Sequence, residues 1–161
     1  MLQPDDLSGE IKRDIISILN YLVIYDDHFK HSRAVRKIGE AGVIPPLIQE
    51  IIGGNYNSCI DLLSDIVDKS HPKKFRDSVV NAGGIEVLLH ILHQYHNDEN
   101  DKRFYHAKIG KIALVLLNLC EDTSHKERIL EAGFLPLLLK LKNENRFAED
   151  TELNSLLETL N

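Results

Sequence analysis

Tryptophan is absent from this chain of 161 residues, methionine occurs once and cysteine only twice. Two cysteines are too few for the disulfide framework that staples small secreted domains. Cys59 and Cys120 stand in apolar stretches, where a thiol behaves as a small buried hydrophobe. They read as reduced thiols of an intracellular protein, cytoplasmic or nuclear. No apolar run approaches the ~20 residues that cross a bilayer, so no membrane association is expected. Met1-Leu2-Gln3-Pro4-Asp5-Asp6 lacks the basic and apolar parts of a secretory signal. Positive charge is also scarce: 19 Lys and Arg stand against 25 Asp and Glu, a formal net charge of −6. Neutralising phosphates takes clustered cations, so a general nucleic-acid binder is not expected. The cluster Lys73-Lys74-Phe75-Arg76 is short and reads as the solvent face of a helix. Catalytic signatures are missing too: no Gly-x-Gly-x-x-Gly, no Walker loop and no Gly-x-Ser-x-Gly. Neither cysteine has the setting of an activated nucleophile. The expectation is a non-enzyme with no cofactor.

No segment alternates with period two between Asn-Gly or Asp-Gly turns, and an all-α fold follows. What the chain does have is repetition. Glu40-Ala41-Gly42-Val43-Ile44-Pro45-Pro46-Leu47 is answered by Asn81-Ala82-Gly83-Gly84-Ile85-Glu86-Val87-Leu88 and by Glu131-Ala132-Gly133-Phe134-Leu135-Pro136-Leu137-Leu138. Self-similarity at this period is the signature of stacked helical units. An amphipathic segment precedes each copy: 33–40, 73–81 and 125–131. A glycine then stops the helix and turns the chain, since glycine enters the left-handed region without steric cost. Pro45, Pro46 and Pro136 suit the first turn of the next helix. Glu86 takes that place in the middle copy, where an acid is favourable beside a helix N-terminus. Apolar third helices follow at 60–67 and 113–120, and 15–23 reads as the same helix of an earlier unit. The polar stretch 97–103 reads as an inserted surface loop.

Histidines at 90, 93 and 96, and at 28 and 31, recur at intervals of three and raise the question of metal. They lack the Glu of His-Glu-x-x-His and any Cys-x-x-Cys partner. His96 is rotated well away from His90 around the helix, and His93 and His96 suit a helix C-terminus as cations. No metal site is expected.

The Glu-Ala-Gly-x-Ile-Pro-Pro-Leu pattern and the Leu117-Asn118-Leu119 segment after it resemble the armadillo repeat. The resemblance implies a right-handed α-solenoid, a superhelix of three-helix repeats, covering 1–161 as one domain. Its parts are a leading third helix (7–25), a repeat (33–68), a repeat with the insertion at 97–103 (72–120) and a final repeat (125–161). In that family the third helices line a concave groove, where an asparagine and a residue one turn earlier, often tryptophan, hold an extended peptide. Carried over, the asparagine position falls on Tyr21, Asp65 and Asn118, and the earlier one on Ser17, Asp61 and Leu114. Only Asn118 keeps the family residue, and without tryptophan the regular ladder of the nuclear-import type is absent.

The replacements have a character of their own. Asp61, Asp65 and Asp68 share one side of a helix, and like charges so placed repel unless a cation offsets them. Asn118, Glu121 and Asp122 extend the polar strip, and Tyr21 and Tyr25 add flat amphipathic surface. The resulting expectation is an adaptor or scaffold that binds another protein through a basic or amphipathic peptide lying in the groove. One alternative is a regulatory, co-chaperone-like domain gripping a folded partner. Another is a structural piece that oligomerises through its ends, because Leu156, Leu157 and Leu160 would cover a further helix. A few units make a short adaptor, consistent with a domain cut from a longer protein.

Overall fold

A computed structural model describes residues 15, 16, 18, 19, 28–54, 56–97, 102–144 and 150–161. Every regular element among the described residues is an α-helix. They run α1 (His28–Glu40), α2 (Ile44–Ile52), α3 (Tyr56–Ile66), α4 (Lys73–Asn81), α5 (Gly84–Asn97), α6 (Lys102–Leu119), α7 (Thr123–Glu131), α8 (Phe134–Lys142) and α9 (Thr151–Leu160). Residues 15, 16, 18 and 19 are helical as well.

Three triads result, each turned at the repeated glycine. Gly42, Gly83 and Gly133 adopt φ of +77°, +79° and +87°, the left-handed region that ends a helix sharply. Beyond the first corner, Pro45 and Pro46 occupy the first turn of α2, where a missing N–H has no partner to lose. Glu86 occupies the first turn of α5. The second helices of the triads, α2, α5 and α8, pack in succession, and so do the third helices, α3, α6 and α9. Two layers of helices therefore share one apolar interior, continuous from Ile16 to Leu160. Branched and aromatic residues fill it; Leu47, Ile51, Leu63, Ile85, Leu88 and Phe134 are wholly buried.

Two close approaches depend on glycine for space. A Cβ at Gly39 of α1 would lie 2.7 Å from two ring carbons of Phe75 in α4. A Cβ at Gly84 would overlap Val79 Cγ1, lie 2.9 Å from the Val79 carbonyl oxygen and 3.2 Å from Ile48 Cδ1. Gly84 thus marks the point where α2, α4 and α5 meet.

Two of the described helices, α7 and α9, start on aspartate caps. Asp150 accepts the Leu153 N–H at 2.8 Å ahead of α9, and Asp122 accepts the Ser124 N–H at 3.0 Å ahead of α7. Such caps satisfy donors that have no partner inside the helix. The Asp122 carboxyl is held well below the usual carboxylate range, first by its Ser124 hydrogen bond and then by Lys73. A depressed native pKa contributes stability that is present above the unfolded value of about 4 and lost as pH falls through the native one. The thermal midpoint is therefore expected to drop below about pH 4, and Asp122→Asn to flatten that part of the profile. An unchanged acid slope in the variant would rule the cap out as its source.

Several boundaries differ from the expectations above. The first helix of the leading triad starts at His28, not 33, and α7 starts at Thr123, not 125. The stretch read as a loop at 97–103 is narrower: α5 runs to Asn97 and α6 begins at Lys102, with 98–101 outside the described residues. The cluster at 73–76 is also not uniformly a solvent face. Phe75 is buried, and so is Arg76, which donates Nη1 to the carbonyl oxygens of His71 at 3.2 Å and Asp68 at 3.4 Å. That guanidinium closes off the chain leaving α3, where carbonyls need donors. Leu156, Leu157 and Leu160 point into the interior, so they do not form an exposed apolar end. No helix among the described residues is long and apolar enough to cross a membrane.

Candidate functional site

The third helices place the polar strip. On α3 and just beyond it, Ser58, Asp61, Asp65 and Asp68 are half-buried, while Cys59, Ile60, Leu62, Leu63, Ile66 and Val67 are buried. Intervals of three and four keep Ser58, Asp61 and Asp65 on one side of the helix. Asp61 and Asp65 thus share the outward side of α3, whereas Asp68, read from the sequence as part of the same helical stripe, lies in the loop beyond the helix end at Ile66. Asp65 has polar partners of its own. The Asp68 carboxylate accepts the Ser70 N–H at 2.8 Å. Partial burial opposes its ionisation, but the Ser70 hydrogen bonds, His71 and Lys69 outweigh this and hold it below the usual range.

On α6, Lys111, Leu114 and Asn118 repeat at the same intervals and share a face, and Glu121 lies in the turn beyond its end. Two neighbours frame that face. Lys108 reaches α3 on one flank, its Nζ donating to Asp61 Oδ2 at 2.7 Å. Gly110 meets α9 on the other, where its missing Cβ leaves room for the Asp150 carboxylate. Ile112, Ala113 and Leu116, on the opposite side, are buried in the core. Asn118 therefore lies on the outward face between α3 and α9. It is only 6% exposed, and its Nδ2 has no hydrogen-bond partner. A buried, unpaired amide is costly, about 1–3 kcal/mol. Leu114 is half-buried on the same face, and Glu121, in the turn beyond the helix, is exposed.

Asp122 is oriented otherwise. It caps α7, and its second oxygen lies 3.0 Å from Lys73 Nζ of α4. Lys73 also bridges to Asp77 at 2.7 Å, and the buried His125 sets Nε2 3.1 Å from the same Asp77 oxygen. Asp122 thus belongs to a polar seam between the first helices of the second and third triads. An aspartate two residues before a serine at a helix start is a cap signature, and it could have been read so. The Lys108–Asp61 pair had no local signal, because its partners come from different helices. Ser17, Tyr21 and Tyr25 lie outside the described residues.

The cysteines are inert by their surroundings. Burial, with Glu50 adding to it, pushes the Cys59 thiol up to about 12. Burial likewise pushes Cys120 up to about 11. Neither yields a thiolate near neutral pH.

A second concavity lies away from the third helices. A groove of about 500 Å³ opens between α5 and α7, with Glu86, His90 and His93 on one wall and Arg128 and Glu131 on the other. Arg128 and Glu86 pair across it at 2.7 Å. His90 Nε2 is 2.9 Å from Gln94 Nε2. Among the described residues no three His, Cys, Asp or Glu side chains are grouped to hold a metal ion. The side chains of His28, His31 and His96 lie outside that description.

No family model matches the chain, and no curated protein matches it either. Among solved structures it is similar to an engineered protein, a structural-genomics target, at 21% identity and a TM-score of 0.59. The match covers 90% of this chain and 62% of the other, so the chain spans less than two thirds of that protein's length. The likeness is one of fold.

Proposed function

We propose that the chain is a non-enzymatic protein-interaction module. Its triads would form an armadillo-type right-handed superhelix, and a basic or amphipathic peptide would lie along the third helices. Asn118 carries this reading. An amide kept buried and unpaired on an outward face costs stability, and a ligand backbone supplies the donor and acceptor that it lacks. Rotating the carboxamide exchanges its oxygen and nitrogen, so either can be presented. The carboxylates of α3 beside it suit Lys or Arg side chains of the same ligand. Two protonated thiols fit a reducing compartment, the cytoplasm or nucleus.

Titration of capped lysine-containing peptides, followed by fluorescence anisotropy, tests the proposal. Asn118→Leu is expected to weaken binding about tenfold, the worth of one hydrogen bond to a polar ligand group. The same change should leave the thermal midpoint unchanged or raise it, because it removes an unpaired buried amide. Equal binding by both proteins would defeat the reading. A second reading, a grip on a folded partner, is favoured only by the groove between α5 and α7. It predicts binding to an intact domain and none to peptides.

A further inference from the structure

The two junctions between triads are not built alike. At the first, α2 packs directly on α4, and Gly84 leaves the room that Val79 and Ile48 take up. At the second, α5 and α7 scarcely touch. The residue after the corner glycine is there Phe134, whose wholly buried ring needs space that Gly84 does not. Between α5 and α7 lies the groove of about 500 Å³, enough for one side chain and the backbone that carries it. Its α5 wall runs from Glu86 to His93, about 10 Å along the helix.

We propose that this groove takes an arginine side chain of a partner protein. Its lining holds two carboxylates, Glu86 and Glu131, and one of them shows what they accept. Glu86 is already met by a guanidinium of the same chain, with Arg128 Nη2 2.7 Å from its Oε1. Glu131 lies one turn beyond Arg128 on α7 and lines the same space, yet no cation pairs with it among the described residues. The groove therefore carries one negative charge in excess. Leu89 and Ala132 supply apolar lining between the charged groups, which suits the aliphatic stem of an arginine. His90 is held to Gln94 at 2.9 Å, whereas the His93 ring is available to lie flat against a planar guanidinium. A guanidinium also meets a carboxylate through two parallel N–H donors, which an ammonium cannot do. A wholly apolar occupant would leave the Glu131 carboxylate desolvated and unpaired. The site shares no residue with the third-helix face, so it stands whether or not a peptide lies there.

N-acetyl-arginine amide is the direct probe, titrated into the protein while NMR follows the Leu89 methyl and His93 ring resonances. Saturable shifts at both residues are expected. The citrulline analogue, which keeps the shape and loses the charge, should produce none. The lysine analogue should bind more weakly, because its ammonium lacks the planar fork. Glu131→Gln should weaken the arginine analogue about tenfold, the loss of one charge-assisted contact. Arg128→Gln should act in the opposite sense and strengthen it a few-fold, since Glu86 is freed and a like charge is removed. Both positions are exposed, so both variants should keep the fold, and their opposite effects separate binding from stability. Asn118→Leu should leave the titration unchanged. Equal binding of citrulline, an unaltered Glu131→Gln titration or shifts confined to the third helices would each overturn the proposal. So would the absence of any saturable shift.

Discussion

Alanine at Gly84 is expected to destabilise the protein by about 3 kcal/mol, the upper end of what overpacking a core costs. The added methyl would press on both a side chain and a backbone oxygen of Val79, with Ile48 closing the third side. A backbone carbonyl cannot rotate away as a flexible side chain can, so α4 and α5 must separate. Gly83 is the natural control. It holds φ of +79°, but the nearest atom to a Cβ there is Glu86 Oε2 at 3.9 Å. Alanine at 83 should cost only the left-handed penalty of about 1–2 kcal/mol. Urea denaturation monitored by circular dichroism compares the two. A Gly83 variant weaker than the Gly84 variant would show that the corner's conformation, not the packing behind it, dominates.

Phe134→Ala should cost more still, about 3–5 kcal/mol, through lost burial and the cavity left behind. Phe134 opens α8 immediately after the left-handed Gly133 and is wholly buried. The ring is thus placed by the corner itself, at the entrance to the third triad. Phe134→Leu should lose less than about 1.5 kcal/mol, because it keeps most of the volume. A domain of this size has about 5–15 kcal/mol in hand, so the alanine variant should show a large fall in its denaturation midpoint. A loss near that of the leucine variant would mean that the neighbouring leucines collapse into the space.

The corners were the most legible part of the sequence. Ala41-Gly42, Ala82-Gly83 and Ala132-Gly133 recur in register, and a glycine between two amphipathic segments has few other uses. Helix starts were less legible. Nothing at Arg33 distinguishes it from the residues before it, and α1 extends back to His28. The charges were the least legible, because their roles are set by side chains from other helices. Asp61 could be placed on an outward face by spacing alone, but its pairing with Lys108 joins α3 to α6. Arg76 and Lys73 look alike in sequence; one is buried against carbonyl oxygens and the other bridges two aspartates. Periodicity tells which side of a helix a residue is on, and only the neighbouring helix tells what it meets there.

The contact between Gly39 and Phe75 has an evolutionary side. The two positions lie in different triads, yet they divide one fixed volume between α1 and α4. A methyl gained at 39 has to be matched by a shift of the Phe75 ring or by a smaller group at 75. The length of the glycine-to-ring contact, not the chemistry of either residue, decides how freely this junction can drift.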